Sequence, residues 1–350
     1  MKKTFRTSLR WSRVFLALVF SFSYLCPEIQ RQMDALHPRQ SELDMLKGVM
    51  ILLMVAFHLG YIGDLYPTAK AFVYTFHMPT FLLISGYLLN TSHPTATFGR
   101  KILWIFIPYA IMESGYVAAS SVLPVRESVE ELSILLLLDK IFIHPLGPYW
   151  YLHTFMLCSL TCYATGRLTH WLHPFSTGGA LVASALTLYG LSVLGLVNVA
   201  NVLWFLAGTA VHWSGARLSR VFFPTLWAVV PVAFIALHPE WFNRACVPGI
   251  LLTISILSML TAVWERFPSR KATGMLTYLG RNTLVIFLFS PVFTMAMKQL
   301  LPLFRADTTG LTYLFCATGV ATAGSLGIGW LSDRFGLSRY IFGRPAVMHK

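Results

Sequence analysis

Apolar runs long enough to cross a bilayer recur along almost the whole chain. A transmembrane helix needs about 17–25 predominantly apolar residues, and the backbone inside hydrocarbon must satisfy its own hydrogen bonds. We count ten candidate spans, at 46–62, 68–89, 102–122, 149–165, 180–197, 199–213, 222–237, 248–264, 278–301 and 310–331, of which the sixth and seventh are short. The pattern predicts an all-α polytopic membrane protein, a bundle of about ten transmembrane helices.

Charged residues are scarce in this chain. They make up 12% of the sequence, against 56% for hydrophobic residues, whereas a soluble domain carries roughly 25% charged residues. We find no stretch long enough for a separate soluble catalytic domain. Any chemistry must therefore take place in the helix bundle or in its short loops.

The distribution of basic residues favours a cytoplasmic location for both termini. Cytoplasmic loops of membrane proteins carry an excess of Lys and Arg. The loops that ten spans would place inside hold most of these residues, from Arg100 and Lys101 before the third span to Arg334, Arg339 and Arg344 after the last. The formal net charge of +13 thus has a topological explanation. It does not require a nucleic-acid partner.

We divide the chain into three parts. Residues 1–41 form a basic extension, 42–333 the transmembrane domain, and 334–350 a basic cytoplasmic tail. Within the extension, the apolar run 14–25 has the length of a signal-peptide core and is short for a span. A cleaved signal would place the following segment outside, against the charge bias. Two interpretations stay open: an interfacial extension, or a misassigned start with translation beginning near Met33.

Two histidines lie inside consecutive apolar runs. Lys47 and His58 are eleven residues apart, so on a helix they share one face within about 20° and are separated by about 16 Å along the axis. His77 lies about 14 Å into the second run, next to the kink expected at Pro79. Both imidazoles are thus predicted in one central layer. A buried histidine can serve structure alone, but ionisable groups at membrane depth more often mark function.

The remaining metal-binding residue types predict no metal site. Cys158 and Cys162 are one helical turn apart, but no second pair of ligands accompanies them. We interpret them as small core residues. The other histidines lie mainly near loops or span ends, and His153 beside Trp150 is the one of most interest.

Five segments carry a resemblance to a known family. They read LDMLKGVMILLMVAFH at 43–58, FHMPTFLLISGYL at 76–88, GRKILWIFIPY at 99–109, PYWYL at 148–152 and LGRNTLVIFLF at 279–289. In order and spacing they resemble the membrane-bound acyltransferase 3 family over roughly 42–333. The resemblance implies an O-acyltransferase of the bacterial inner membrane. It would move an acyl group, acetyl by default, from cytoplasmic acetyl-CoA to a hydroxyl of an extracytoplasmic, in some cases lipid-linked, sugar or polysaccharide.

The resemblance also implies roles for individual residues. Lys47 and His58 match the family motif of a basic residue, ten residues and a histidine, and His58 matches its proposed catalytic histidine. Arg100 and Lys101 match a basic cluster at the start of the third span. Trp150 matches the tryptophan of the fourth-span motif.

The chemistry of an acyl transfer agrees with these roles. A neutral imidazole can remove the proton of a sugar hydroxyl as the oxygen attacks a thioester. We therefore assign His58 as general base and His77 as an orienting or assisting residue; an acyl-histidine intermediate stays open. Four cations at cytoplasmic ends of spans are candidates for holding the phosphates of the donor: Lys47, Arg100, Lys101 and Arg281.

Simpler explanations exist for some of these residues. Trp150 and Tyr151 could stack on an acceptor sugar, but an interfacial aromatic belt explains them at least as well. Arg100 and Lys101 could be topology determinants alone. The acyltransferase hypothesis names acetyl-CoA, the sugar acceptor and membrane lipids as partners.

Two other classes of function compete with an enzyme. A proton-coupled transporter or flippase could use His58 and His77 as a relay. We find no inverted repeat of the kind that builds many transporters, and Glu113 is the main acidic residue well inside a span. A membrane sensor or assembly subunit is the third hypothesis, and the sequence shows no soluble output domain for it.

Overall fold

The computed structural model describes residues 40–121, 132–172, 177–267 and 270–349. Within these ranges the chain is helical and contains no strand. The predicted basic extension, 1–41, lies outside the described residues except for its last two positions. The two interpretations of that extension stay predictions.

Fifteen α-helices cover the described ranges. The first eight are α1 (Ser41–His58), α2 (Gly60–Leu65), α3 (Pro67–Tyr87), α4 (Thr95–Ser120), α5 (Ile134–Phe142), α6 (Trp150–Leu172), α7 (Thr177–Val193) and α8 (Val199–Trp213). The others are α9 (Leu218–Phe222), α10 (Val229–Ala236), α11 (Val247–Arg266), α12 (Arg270–Arg281), α13 (Thr283–Gln299), α14 (Leu311–Arg334) and α15 (Ser338–Ile341). Short 3₁₀ helices lie at Gly147–Tyr149, Leu226–Ala228, Pro239–Trp241 and Leu301–Phe304.

Three of the described helices are long and apolar enough to cross a membrane: α4, α11 and α14. The pair α12 and α13 adds a fourth candidate, bent by 83° at the break between Arg281 and Thr283. Helices α7 and α8 are apolar but shorter. The prediction of an all-helical integral membrane protein is therefore confirmed. The count of ten spans and the cytoplasmic location of both termini stay predictions.

The first predicted span, 46–62, is interrupted in the structure. Helix α1 ends at His58, Leu59 has an extended backbone (φ −66°, ψ 107°), and α2 begins at Gly60. Glycine costs about 1 kcal/mol relative to alanine inside a helix, so Gly60 favours a break at this point. As a result His58 lies at the carboxyl end of a helix and not within a continuous span.

The chain forms two compact units by its backbone contacts. The first holds Pro79–Ser92 and Leu157–Val263 together with Gln40. In it the second half of α3 packs closely on α8, because Cβ atoms added to Gly86 and Gly208 would overlap the carbonyl oxygens of Phe205 and Leu83, respectively. Small residues at helix crossings allow this approach in membrane proteins.

The second unit holds Ser41–Met78, His93–Met156 and the chain from Trp264 onward. Its α1 packs against α12, α13 and α14, and its α4 packs against α5, α13 and α15. An apolar core forms where the α1–α2 break meets α13 and α14; its buried members are Leu59, Ile62, Met297, Tyr313 and Ala317. Every residue that the sequence nominates for the site belongs to this unit.

Candidate functional site

Helices α1 and α12 cross with their backbones in contact. A Cβ atom added to Gly48 would overlap the carbonyl oxygen of Leu276, and one added to Gly280 would overlap that of Asp44. No residue larger than glycine can occupy either position unless the helices move apart. The crossing therefore fixes the residues beside it, among them Lys47 on α1 and Arg281 on α12.

A buried carboxylate joins those two cations. Asp44 is 4% exposed, and its carboxylate lies 2.8 Å from the Lys47 ammonium and 3.5 Å from Nε of Arg281. The side chains of Lys47 and Arg281 keep 18% and 32% of their exposure. Two cations around one carboxylate leave a net positive, partly accessible cluster. The sequence nominates both cations but not Asp44.

The His58 imidazole is oriented by its own helix. Its Nδ1 lies 2.7 Å from the carbonyl oxygen of Met54, one turn earlier in α1. A carbonyl can only accept, so Nδ1 carries the hydrogen, and in the neutral ring Nε2 has the free electron pair. The His58 side chain is partly exposed. Its Nε2 thus carries the free electron pair on a side chain that is not fully enclosed.

The structure brings His77 into the same neighbourhood through Tyr74. The Tyr74 ring centroid is 5.7 Å from that of His58 and 4.9 Å from that of His77. The Tyr74 hydroxyl donates to the carbonyl oxygen of Phe57 at 3.2 Å, in the last turn of α1. His77 is fully buried, and its Nδ1 lies 2.8 Å from the Val73 carbonyl. One tyrosine therefore contacts both histidines and ties α3 to the end of α1.

A further cation lies beside this cluster. The Lys70 ammonium is 5.5 Å from the centroid of the Tyr74 ring, one helical turn away on α3. The Lys70 stem packs over Gly63 of α2, where an added Cβ would lie 2.8 Å from the amino nitrogen. Beside Lys47 and Arg281, Lys70 is thus a third cation, close to the tyrosine that contacts both histidines.

The other nominated cations lie at the start of α4. Arg100 and Lys101 are exposed, and the Lys101 amino group is 2.6 Å from Nε2 of His93. The structure gives no contact that joins them to Asp44. Their topological role and their role in donor binding both stay predictions.

The nominated aromatic pair packs on α13. Trp150 and Tyr151 are part-buried neighbours with ring centroids 6.4 Å apart, and the Tyr151 ring lies 5.4 Å from that of Phe287. The adjacent Tyr149 hydroxyl donates to the Leu288 carbonyl at 2.8 Å. Helix α13 also packs on α1, so one helix connects the aromatic pair with the histidine-bearing helix.

His153, the further histidine of interest, holds a loop in place. Its Nε2 donates to the Phe142 carbonyl at 2.9 Å, and the Tyr109 hydroxyl donates to the Ile141 carbonyl at 2.8 Å. The buried carboxylate of Glu113 accepts from the backbone N–H of Leu146. These three side chains satisfy backbone groups at the end of α5 and in the segment that follows it. Their arrangement indicates a structural role.

A model of an acyltransferase domain family matches residues 40–330. The chain belongs to the acyltransferase 3 family. No curated protein and no solved structure matches the chain significantly. Membership confirms the resemblance seen in the sequence and indicates a membrane acyltransferase. The matched range contains every nominated residue and also Asp44 and Tyr74.

Sequence reasoning missed Asp44 and Tyr74. Each lies three residues from a nominated residue on its own helix, Asp44 from Lys47 and Tyr74 from His77, a spacing that makes helix neighbours. That signal alone does not separate them from ordinary surface pairs. Among the described residues, no group of three or more His, Cys, Asp or Glu side chains could hold a metal ion.

Proposed function

We propose that this acyltransferase 3 protein is an O-acetyltransferase. It would move acetyl from cytoplasmic acetyl-CoA to a hydroxyl of an extracytoplasmic sugar or polysaccharide, with His58 as general base. Family membership supports the reaction class. The geometry of His58 is the observation that carries the residue assignment.

The bond from His58 to Met54 prepares the imidazole for this task. Because Nδ1 donates to the carbonyl, Nε2 can accept the proton of an incoming hydroxyl. The ring also lies at the carboxyl end of α1, where the helix dipole places partial negative charge. That charge stabilises the imidazolium that forms as the proton arrives.

A single base accounts for every proton in the proposed transfer. The acceptor hydroxyl gives its proton to Nε2 of His58 while its oxygen attacks the acyl carbon, and a C–O bond forms. The C–S bond then breaks, and the CoA thiolate takes the proton from the imidazolium. An alternative path through an acyl-histidine uses the same nitrogen as nucleophile.

The cluster around Asp44 has the chemistry of a donor site. Acetyl-CoA carries several phosphate charges, which Lys and Arg bind by charge-assisted hydrogen bonds. Lys47 and Arg281 are partly exposed, held by Asp44, and fixed by the glycine crossing. Arg100 and Lys101 would add charge from α4.

His77 assists in this proposal without touching the substrate. It is enclosed, and its ring supports Tyr74, which in turn contacts His58. Trp150 and Tyr151 are proposed as sugar contacts, and the bacterial inner membrane is the proposed location.

Replacement of His58 by Ala tests the proposal. Loss of a general base lowers rates by about 10²–10⁴-fold, so we expect His58→Ala cells to lose ester-linked acetyl from their surface glycan. The exposed His144→Ala variant is a matched control, because His144 lies in the segment after α5 and its imidazole pairs with Asp139 of that helix. The measurement is the amount of ester-linked acetyl on the glycan, divided by the amount of each variant protein in the membrane.

Two outcomes would count against the proposal. Undiminished acetylation by membrane-inserted His58→Ala would remove His58 as the base. Transport of a labelled solute without consumption of acetyl-CoA would favour the transporter hypothesis instead.

A further inference from the structure

The segment that follows α15, residues 343–349, folds back onto the helices of the second unit. Three consecutive backbone N–H groups, those of Val347, Met348 and His349, donate to side chains of the bundle. Val347 is 6% exposed. The sequence predicts only a basic tail here, so this docked conformation is a finding of the structure.

Two side chains receive the segment. Asp333, at the end of α14, accepts from the N–H of Val347 at 2.7 Å and from that of Met348 at 3.0 Å. Asn282 accepts from the N–H of His349 at 2.8 Å and donates to the His349 carbonyl at 3.0 Å. The Asn282 side-chain amide thus forms hydrogen bonds with both the N–H and the carbonyl of His349.

Two glycines make room for the segment. Gly343 has φ +64°, in the left-handed region, and a Cβ there would overlap the indole of Trp104 on α4. A Cβ at Gly329 on α14 would lie 2.7 Å from the sulfur of Met348. The close fit at both ends indicates a built contact and not a loose tail.

The two ends of the segment meet elements that carry candidate donor cations. Asn282 directly follows Arg281 and lies at the break between α12 and α13. Its Nδ2 also donates to the Tyr278 carbonyl at 2.9 Å, one turn earlier in α12. Trp104 lies one helical turn after Arg100 on α4. The segment therefore spans from α4 to the carboxyl end of α12.

We propose that residues 343–349, held by Asp333 and Asn282, are a positioning element for the acyl-donor site. They fix the end of α12, and with it Arg281, relative to Arg100 and Lys101. This inference rests on the proposed function, since it assumes that these cations bind the donor. Several point charges bind a polyanion well only when their spacing is maintained, because preorganisation removes the cost of ordering them on binding.

The test uses His349→Pro in the full-length chain, reconstituted in lipid nanodiscs. Proline removes the N–H that donates to Asn282 and leaves every helix residue unchanged. We expect the KM for acetyl-CoA to rise roughly tenfold, as for loss of one charge-assisted contact, with kcat nearly unchanged. Hydrogen exchange at the amides of Val347 and Met348 should become faster. Asn282→Ala removes the side chain that accepts from this N–H. It should likewise raise the KM for acetyl-CoA and leave kcat nearly unchanged.

His349→Ala is the matched control. It keeps the backbone N–H that donates to Asn282, so we expect KM and exchange close to wild type. Faster exchange in His349→Pro with an unchanged KM would overturn the inference and leave the proposed function intact. Failure of the wild-type chain to bind acetyl-CoA would overturn the proposed function, and the inference with it.

Discussion

At the scale of single residues, the two histidines differ in access and not in orientation. Both direct Nδ1 to the carbonyl four residues earlier, at 2.7 Å for His58 and 2.8 Å for His77. His58 is partly exposed whereas His77 is fully buried. In the proposed mechanism the acceptor hydroxyl therefore meets His58, and His77 acts through the packing around Tyr74.

Tyr74 is expected to contribute through its ring more than through its hydroxyl. Tyr74→Phe removes the donor to the Phe57 carbonyl, a single hydrogen bond, and should lower kcat by ~2–10-fold. Tyr74→Ala also removes the ring next to both imidazoles, so its loss should be larger. The measurement is acetyl transfer by purified variants at saturating donor and acceptor. Equal kcat values for the Phe and Ala variants would show that the ring does not position His58.

At the scale of elements, the α1–α12 crossing determines the spacing of Asp44, Lys47 and Arg281, the proposed donor-binding cluster. Gly280→Ala places a Cβ against the Asp44 carbonyl, and overpacking of this kind costs about 1–3 kcal/mol. We expect a lower thermal midpoint and a weaker affinity for acetyl-CoA, because Arg281 moves away from Asp44.

Gly274→Ala is the matched control on the same helix. A Cβ at Gly274 meets no atom within 4 Å, and alanine is the better helix former by about 1 kcal/mol. This variant should be as stable as wild type or more so. If Gly280→Ala had the same thermal midpoint as Gly274→Ala, the close contact between α1 and α12 would be contradicted.

Asp307, just before the amino end of α14, is expected to make the stability of the protein depend on pH. Hydrogen bonds from Thr309 and Thr312 to the carboxylate hold the pKa of Asp307 below its usual range. The unfolded value is about 3.9, so the folded-state pKa is the lower one. The stabilisation is then complete above about pH 4 and is lost as the pH falls through the folded pKa.

Asp307→Asn tests this dependence. The variant should melt below wild type at about pH 7, and the two midpoints should converge as the pH drops below about 4. Melting in detergent across this range is the measurement. A difference that stays constant from neutral to acidic pH would assign the effect to packing and not to the charge.

Sequence reasoning reached the all-helical fold class and the family but not the contacts around the nominated residues. The spacing of Lys47 and His58 placed both on one helix, and α1 contains both. The pairing of Asp44 with Arg281 joins helices far apart in the sequence, which periodicity cannot reveal. The break after His58 escaped detection because the apolar run continues through Leu59 and Ile62.

At the scale of the whole molecule, the predicted topology can be checked with a native cysteine. Cys246 is partly exposed and lies between the seventh and eighth predicted spans, outside the cell by the charge rule. With Cys26 and the exposed Cys316 replaced by Ser, a membrane-impermeant maleimide should label intact cells at Cys246.

Ser92→Cys, in a chain with Cys26, Cys246 and Cys316 replaced by Ser, tests the opposite side of the membrane. Ser92 is exposed, and five predicted spans separate it from Cys246. We expect labelling there only after the cells are permeabilised. Labelling of both positions in intact cells would contradict ten spans with both termini inside.

The ion pair between Asp44 and Arg281 also has a consequence for biogenesis. At about 5–20 residues per second, a ribosome makes α12 roughly 10–50 s after α1. Until then Lys47 and Asp44 pair without Arg281, and the glycine crossing has no second helix. A nascent chain therefore cannot assemble the proposed thioester site while most of its membrane domain is unmade. Under the proposed function, no donor would be consumed before the ribosome has made α12.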